Sequence, residues 1–184
     1  MKLTVFERAQ ISKGQLNKMR HEEKIPAVLY VKDGDNKVIT VDKREFEAAL
    51  RSITKGFLST TIFDLNIDGK PVKAIVKDVQ YHKTTYNIIH LDFQQLYEDT
   101  PVNINIPLEF TGVSQCVGIK LGGFLRPVKR NVRVNCLPKN IPKKFSLDVS
   151  RLAVKQTKRV SDLEVSSDVN VLVKPDNVLV VIAK

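Results

Sequence analysis

A mainly β protein with a few short helices, divided into two domains, is what this sequence predicts. Three observations carry the expectation. Apolar residues recur with period two along most of the chain, the spacing of half-buried strands. Only one segment has convincing helical periodicity. A chain of 184 residues, 42% of them apolar, can fill one large core or two small ones.

Taken in order, a short helical stretch falls around Leu16 to Arg20, where Leu16 and Met19 stand three apart, and IPAVLY (25–30) reads as an apolar strand. The convincing helix begins after Asp42, whose carboxylate can accept from the backbone N–H of Glu45 in a variant of the capping box. Phe46, Ala49, Leu50 and Ile53 mark its apolar face. Phe63, Leu65 and Ile67 then alternate with polar residues, Asp68-Gly69 offers a hairpin turn, and Val72 to Val76 returns. Val102, Ile104, Ile106, Leu108 and Phe110 form the longest alternation, and Phe145, Leu147 and Val149 repeat it. At the C-terminal end, VNVLV and VLVVI flank KPDN and read as a closing hairpin. Between LDFQQL and Pro101 the chain turns polar, which places the domains at 1–95 and 96–184.

Charge points towards a partner. Thirty Lys and Arg against twenty Asp and Glu give a net charge of +10, the balance of a protein that meets nucleic acid or another anionic surface. Residues 1–95 hold 16 basic and 12 acidic side chains and residues 96–184 hold 14 and 8, so the excess is spread over both. The stretch SKGQLNKMRHEEKIPAVLY (12–30) brings Lys13, Lys18 and Arg20 just before a strand, with Gly14 free to let the chain lie close along a phosphate backbone. Glu22 and Glu23 would repel that phosphate unless they turn away. Arg126, Lys129, Arg130 and Arg133 follow Gly122-Gly123, and read equally as a solvated glycine turn or as a second binding site.

Several classes are excluded or disfavoured. No run approaches the roughly 18 apolar residues of a membrane span, and the opening MKLTVFERAQISKG has only a five-residue stretch before a charged pair, too short for a signal-peptide core. Cys116 and Cys136 stand apart without a CxxC knuckle, as reduced, partly buried thiols would. A soluble, cytoplasmic protein is expected.

The densest polar set is DVQYHKTTYNIIHLDF (78–93). His82, His90 and Asp92 could be read as metal ligands or, for the last two, as an acid–base dyad, since on a strand His90 and Asp92 share a face. No HExxH, GxSxG, phosphate-cradling loop or dinucleotide fingerprint accompanies them, so neither an enzyme nor a cofactor or metal site is expected, nor a small-molecule substrate. A hydrogen-bonded pair within a strand face and a polar face that reads nucleic acid remain. An RNA minor groove displays 2′-hydroxyls and base edges, which call for groups that donate and accept, with Lys and Arg holding phosphates at the margin.

The order Lys13-Gly14, a basic run, IPAVLY, DG (33–34), KDVQYH (77–82) and IIHLDF (88–93) resembles bacterial large-subunit ribosomal protein twenty-five. The remainder, through Gly112, GIKLGG (118–123), VNCLPKNIPKKFSLDVSRL (134–152), Pro175 and Asp176, resembles the extra domain of its long form, called CTC after a general stress protein. The resemblance implies an N-terminal β-barrel with flanking helices that binds the loop E region of 5S ribosomal RNA in the large subunit, and a structural, non-catalytic role in translation. It assigns Arg8, Lys13, Lys18 and Arg20 to phosphates, Tyr30 to the backbone, and Lys77, Gln80, His90 and Asp92 to the groove. Asn17, Lys83 and Lys155 depart from the family, which usually has arginine, proline and glycine there. A tRNA-binding module similar to the anticodon-binding domain of glutaminyl-tRNA synthetase, and a stress-related interaction protein acting through the C-terminal domain, are the alternatives.

Overall fold

Six strands among the first hundred residues close on themselves because each carries one apolar face that the others bury. In the computed structural model, which describes residues 1–9, 12–32, 34–67 and 69–184, the chain forms two units, Met1–Thr100 and Pro101–Lys184. The first contains β1 (Lys2–Glu7), α1 (Lys13–His21), β2 (Lys24–Tyr30), β3 (Lys37–Asp42), α2 (Lys43–Ser52), β4 (Ile62–Ile67), β5 (Lys70–Tyr81) and β6 (Ile88–Gln95). The strands run β1-β3-β2-β6-β5-β4 around a closed barrel, and the parallel pairing of β1 with β4 seals it and leaves no open edge.

Asp42 caps α2, its Oδ1 accepting from the N–H groups of Arg44 and Glu45 at 2.8 and 3.1 Å. That helix drops Phe46 onto Phe63 and Phe93, with ring centroids 6.1 to 6.5 Å apart and both contacts to Phe93 edge-on. Ala49, Leu50 and Ile53 pack partly buried on the same core, as their spacing predicts. α1 is longer than expected, and Gln15 Oε1 accepts from the Ser12 N–H at 2.9 Å to hold its first turn. β4 and β5 are antiparallel with Ile67 opposite Lys70 and Gly69 at φ 83°; the other residue of the expected turn, Asp68, lies outside the described residues, as does Asp33.

The second unit contains β7 (Val102–Thr111), α3 (Val117–Lys120), β8 (Phe124–Pro127), β9 (Asn131–Cys136), β10 (Phe145–Asp148), β11 (Thr157–Arg159), β12 (Val169–Val171) and β13 (Val178–Ala183). They make a four-stranded sheet, β10-β7-β9-β12, and a three-stranded one, β11-β13-β8. The expected closing hairpin is not formed. β12 pairs with β9, whereas β13 lies between β8 and β11. The carbonyls of Pro175 and Asn177 accept from the N–H groups of Ser161 and Val160, so the KPDN segment bridges two sheets instead of folding one strand back on its neighbour. Among the described residues, no helix is long and apolar enough to cross a membrane.

Candidate nucleic-acid interface

The outer face of β2, β6 and β5 collects the polar residues singled out by the sequence. Leu91 and Phe93 of β6 point inward and are fully buried, so His90 and Asp92 point out by alternation. On β5, Gln80 stands opposite His90 and Asp78 opposite Asp92. The register slips between Val76 and Asp78, leaving Lys77 as the extra residue of a bulge. That slip explains how Lys77 and Gln80, three apart and so on opposite faces of a regular strand, can both be exposed.

Asp92 has a polar neighbour on each side. The Tyr30 hydroxyl donates to its Oδ2 at 3.3 Å, and His90 Nδ1 lies 2.8 Å from its Oδ1 at ion-pair distance, though outside hydrogen-bond geometry. Desolvation, then the Asp92 charge and hydrogen bond, and Asp78 beyond them push the Tyr30 phenol above its ordinary value. Asp78 is the residue that sequence reasoning missed. Simple alternation from the apolar Val76 turns it inward, and only the bulge at Lys77 brings it out beside Asp92.

Arg20 borders this face. Its Nε donates to the Ile89 carbonyl at 3.2 Å and its Nη1 to Asn17 Oδ1 at 2.9 Å. Lys13, Asn17 and Arg20 fall at i, i+4 and i+7 on one stripe of α1, while Lys18 is exposed off that stripe. Asn17, which departs from the family pattern, therefore orients a neighbouring arginine. Arg8 Nε donates to the Ile39 carbonyl at 3.2 Å. Burial, and then the nearby Arg20 charge, lower the Arg8 guanidinium from its ordinary value. Two cations held together against their mutual repulsion suit an external anion. The carboxylates that raised concern are engaged: Glu23 with Arg44 at 2.5 Å, and Glu22 near Lys24 at 3.9 Å.

His82 is held elsewhere. Its Nδ1 lies 3.1 Å from Thr84 Oγ1 and accepts the Thr85 N–H at 3.3 Å, so the three-residue ligand set does not assemble. No group of three His, Cys, Asp or Glu side chains able to hold a metal occurs among the described residues.

Comparison with known proteins identifies the family of both units. Residues 3–93 match the Ribosomal L25p family, and residues 101–184 match the family described as Ribosomal protein TL5, C-terminal domain. The chain is similar to proteins named Large ribosomal subunit protein bL25 from Chlamydia pneumoniae and Chlamydia muridarum, each 40% identical, and Chlamydia abortus, 41% identical. Each alignment runs over 184 residues and covers 100% of both chains.

Proposed function

This chain belongs to the Ribosomal L25p family, in the form that carries the TL5-type C-terminal domain, and from that premise we propose that its barrel binds 5S ribosomal RNA. The family makes it a structural, non-enzymatic constituent of the large ribosomal subunit, working in the cytoplasm with the bacterial ribosome. The finer reading is that residues 1–100 dock on the loop E region across a widened minor groove. One observation supports it most: Tyr30, Gln80, His90 and Asp92 share one outer row of the closed barrel, bordered by Arg20.

The chemistry follows from what each group offers. Gln80 donates and accepts, and an imidazole does both in its neutral form. The Asp78 and Asp92 carboxylates only accept, so they suit amino groups and 2′-hydroxyls and reject phosphates, which keeps the sugar-phosphate chain at the margin. There Arg8, Arg20, Lys13 and Lys18 meet it. Lys77, on its bulge, lies at the other edge of the row.

The test is competition. Full-length protein titrated onto labelled 5S ribosomal RNA is expected to resist displacement by tRNA and by generic duplex RNA. With about five phosphates engaged, the log–log salt slope should be on the order of −3 to −5. His90→Ala should cost roughly 1–3 kcal/mol of binding by removing a groove-edge contact and releasing Asp92. Equal competition by tRNA would overturn the 5S reading.

A further inference from the structure

We propose that the basic margin of the reading row continues past Arg20 into a phosphate-accepting cleft, with Tyr86 beside it as a stacking platform, so that the barrel holds one unpaired nucleotide of the bound RNA there. This deepens, and rests on, the RNA reading above. The cleft has a volume of about 300 Å³ and is lined by Arg20, His21, Lys24, Lys43 and His82, with no acidic side chain among the described residues that line it.

Local structure explains why these residues meet. Glu23 takes a left-handed conformation, φ 59°, which ends α1 and swings the chain into β2. Its carbonyl accepts the Lys43 N–H at 3.0 Å, while Lys24 pairs with Asp42 in the sheet. The start of β2 and the start of α2 are thereby pinned together under the last turn of α1. From the opposite side comes the loop between β5 and β6, closed by the His82 N–H on the Asn87 carbonyl at 2.8 Å.

The donors are suited to an anion. Because the Thr85 N–H donates to His82 Nδ1, that nitrogen is the acceptor, and the neutral ring carries its proton on Nε2 as a donor. Arg20 spends Nε on a carbonyl and Nη1 on Asn17, which leaves Nη2. Glu22 and Glu47 approach Lys24 and Lys43 only to 3.9 Å, so both ammonium groups keep hydrogen-bonding capacity. A phosphodiester satisfies such a set, since its charge is spread over oxygens that accept several donors at once.

Tyr86 supplies the second, independent observation. It sits between two cleft-lining residues, Thr85 and Asn87, at φ 55°, a conformation a tyrosine seldom adopts, and the residue is 77% exposed. Left-handed backbone at a residue other than glycine clusters at ligand-holding positions, and here it presents an aromatic ring to the solvent beside the cations. A nucleobase suits that ring by chemistry, because every base offers a stacking face and its own phosphate lies within reach of adjacent cations.

The experiment uses the full chain and two readouts. Inorganic phosphate is titrated while the ring-proton NMR signals of His21 and His82 are followed, and 5S ribosomal RNA affinity is measured across salt. In the wild type both histidines should shift saturably. In Lys24→Gln/Lys43→Gln, and in Thr85→Glu, which removes no existing cation, the shifts should vanish and the salt slope should flatten by about one. Tyr86→Asn, which tolerates the left-handed backbone without the ring, should lose roughly tenfold in RNA affinity with the salt slope unchanged. If the cleft variants keep wild-type affinity and slope while His90→Ala weakens binding, the cleft inference fails and the 5S reading stands. If the wild type shows no preference for 5S ribosomal RNA yet phosphate still shifts both histidines saturably, the 5S reading fails and the phosphate cleft stands. No phosphate response in the wild type overturns the cleft directly.

Discussion

The two units of this molecule are built on different principles. The barrel closes around three phenylalanines and leaves no strand edge, so its outer face is available for polar side chains. The C-terminal unit has two small open sheets, and its buried residues are mostly aliphatic. Its turns carry more of the shape. At Gly112, φ 72°, a Cβ would stand 2.7 Å from Asp148 Oδ1, and at Gly123 one would stand 2.7 Å from the Gly118 carbonyl. Charge separates the units as well. Residues 1–100 hold 16 Lys and Arg against 14 Asp and Glu, whereas residues 101–184 hold 14 against 6. With the division after Thr100, most of the positive excess belongs to the C-terminal unit, and not to the one with the ordered polar row. Net charge and an ordered polar face are thus separate properties of this chain, and in nucleic-acid binding generally it is contacts to base edges, not to phosphates, that carry sequence information.

The largest effect that tests this comparison comes from the barrel core. Phe46→Ala should cost about 3–5 kcal/mol, since it empties the centre of the aromatic cluster. The chain provides its own reporters: all four tyrosines, Tyr30, Tyr81, Tyr86 and Tyr97, lie in the first unit, and both cysteines, Cys116 and Cys136, are buried free thiols in the second. Tyrosine fluorescence in urea should show the earlier transition in Phe46→Ala, with thiol labelling unchanged. A joint shift of both signals would mean that the units unfold as one.

A smaller effect, confined to the C-terminal unit, depends on pH. The Asp148 carboxylate accepts the Ser150 N–H and hydroxyl, each at 2.9 Å. These bonds, the backbone one first, with help from Arg151 and Lys158, hold its pKa below the ordinary 3.8 despite some desolvation. A carboxyl lowered by folding stabilises the native state above its unfolded pKa, and that contribution is lost as pH falls through the lower, folded value. Urea midpoints followed through the amide NMR signals of Leu147 and Val149 should therefore drop on acidification below pH 3.8. Asp148→Asn should flatten that part of the profile, because the amide can still accept from Ser150 but does not titrate. An unchanged profile in the variant would assign the acid response to other carboxylates.

What could be read from the sequence follows the same division between local and non-local causes. The α2 cap and the face through Phe46 are set within ten residues of chain, and period two alone places His90 beside Asp92. The bulge at Lys77 depends on the register of β6 against β5, so Asp78 was not visible as a member of the row. The mistaken closing hairpin has the same origin: β12 and β13 are each drawn to strands far away in sequence, β9 and β8. The basic cleft draws on four separate segments, and no local pattern announces it. Lys155 lies between these cases, because the resemblance marked the position as one that usually holds glycine, and the structure gives the reason.

Lys155 occupies a left-handed conformation, φ 68°, in the turn before β11. The turn is held on several sides: the Lys155 N–H donates to the Ile182 carbonyl at 2.8 Å, and the Ala153 N–H donates to Gln156 Oε1 at 2.9 Å. The backbone therefore cannot relax to suit the side chain. A left-handed residue other than glycine costs about 1–2 kcal/mol, and glycine returns roughly 0.5–1 kcal/mol of that through its greater freedom in the unfolded chain. Lys155→Gly should accordingly stabilise the C-terminal unit by about 0.5–1 kcal/mol. The readout is the labelling rate of Cys116 and Cys136 at fixed pH, which should slow, since Cys116 Sγ donates to the Leu152 carbonyl at the base of the same turn and burial raises the Cys136 thiol. Lys155→Asn should give part of the gain and Lys155→Ala none, because alanine keeps the Cβ that causes the strain. Faster labelling in Lys155→Gly would show that the lysine side chain supports the turn more than its backbone strains it, and the C-terminal unit would then depend less on turn geometry than its glycines suggest.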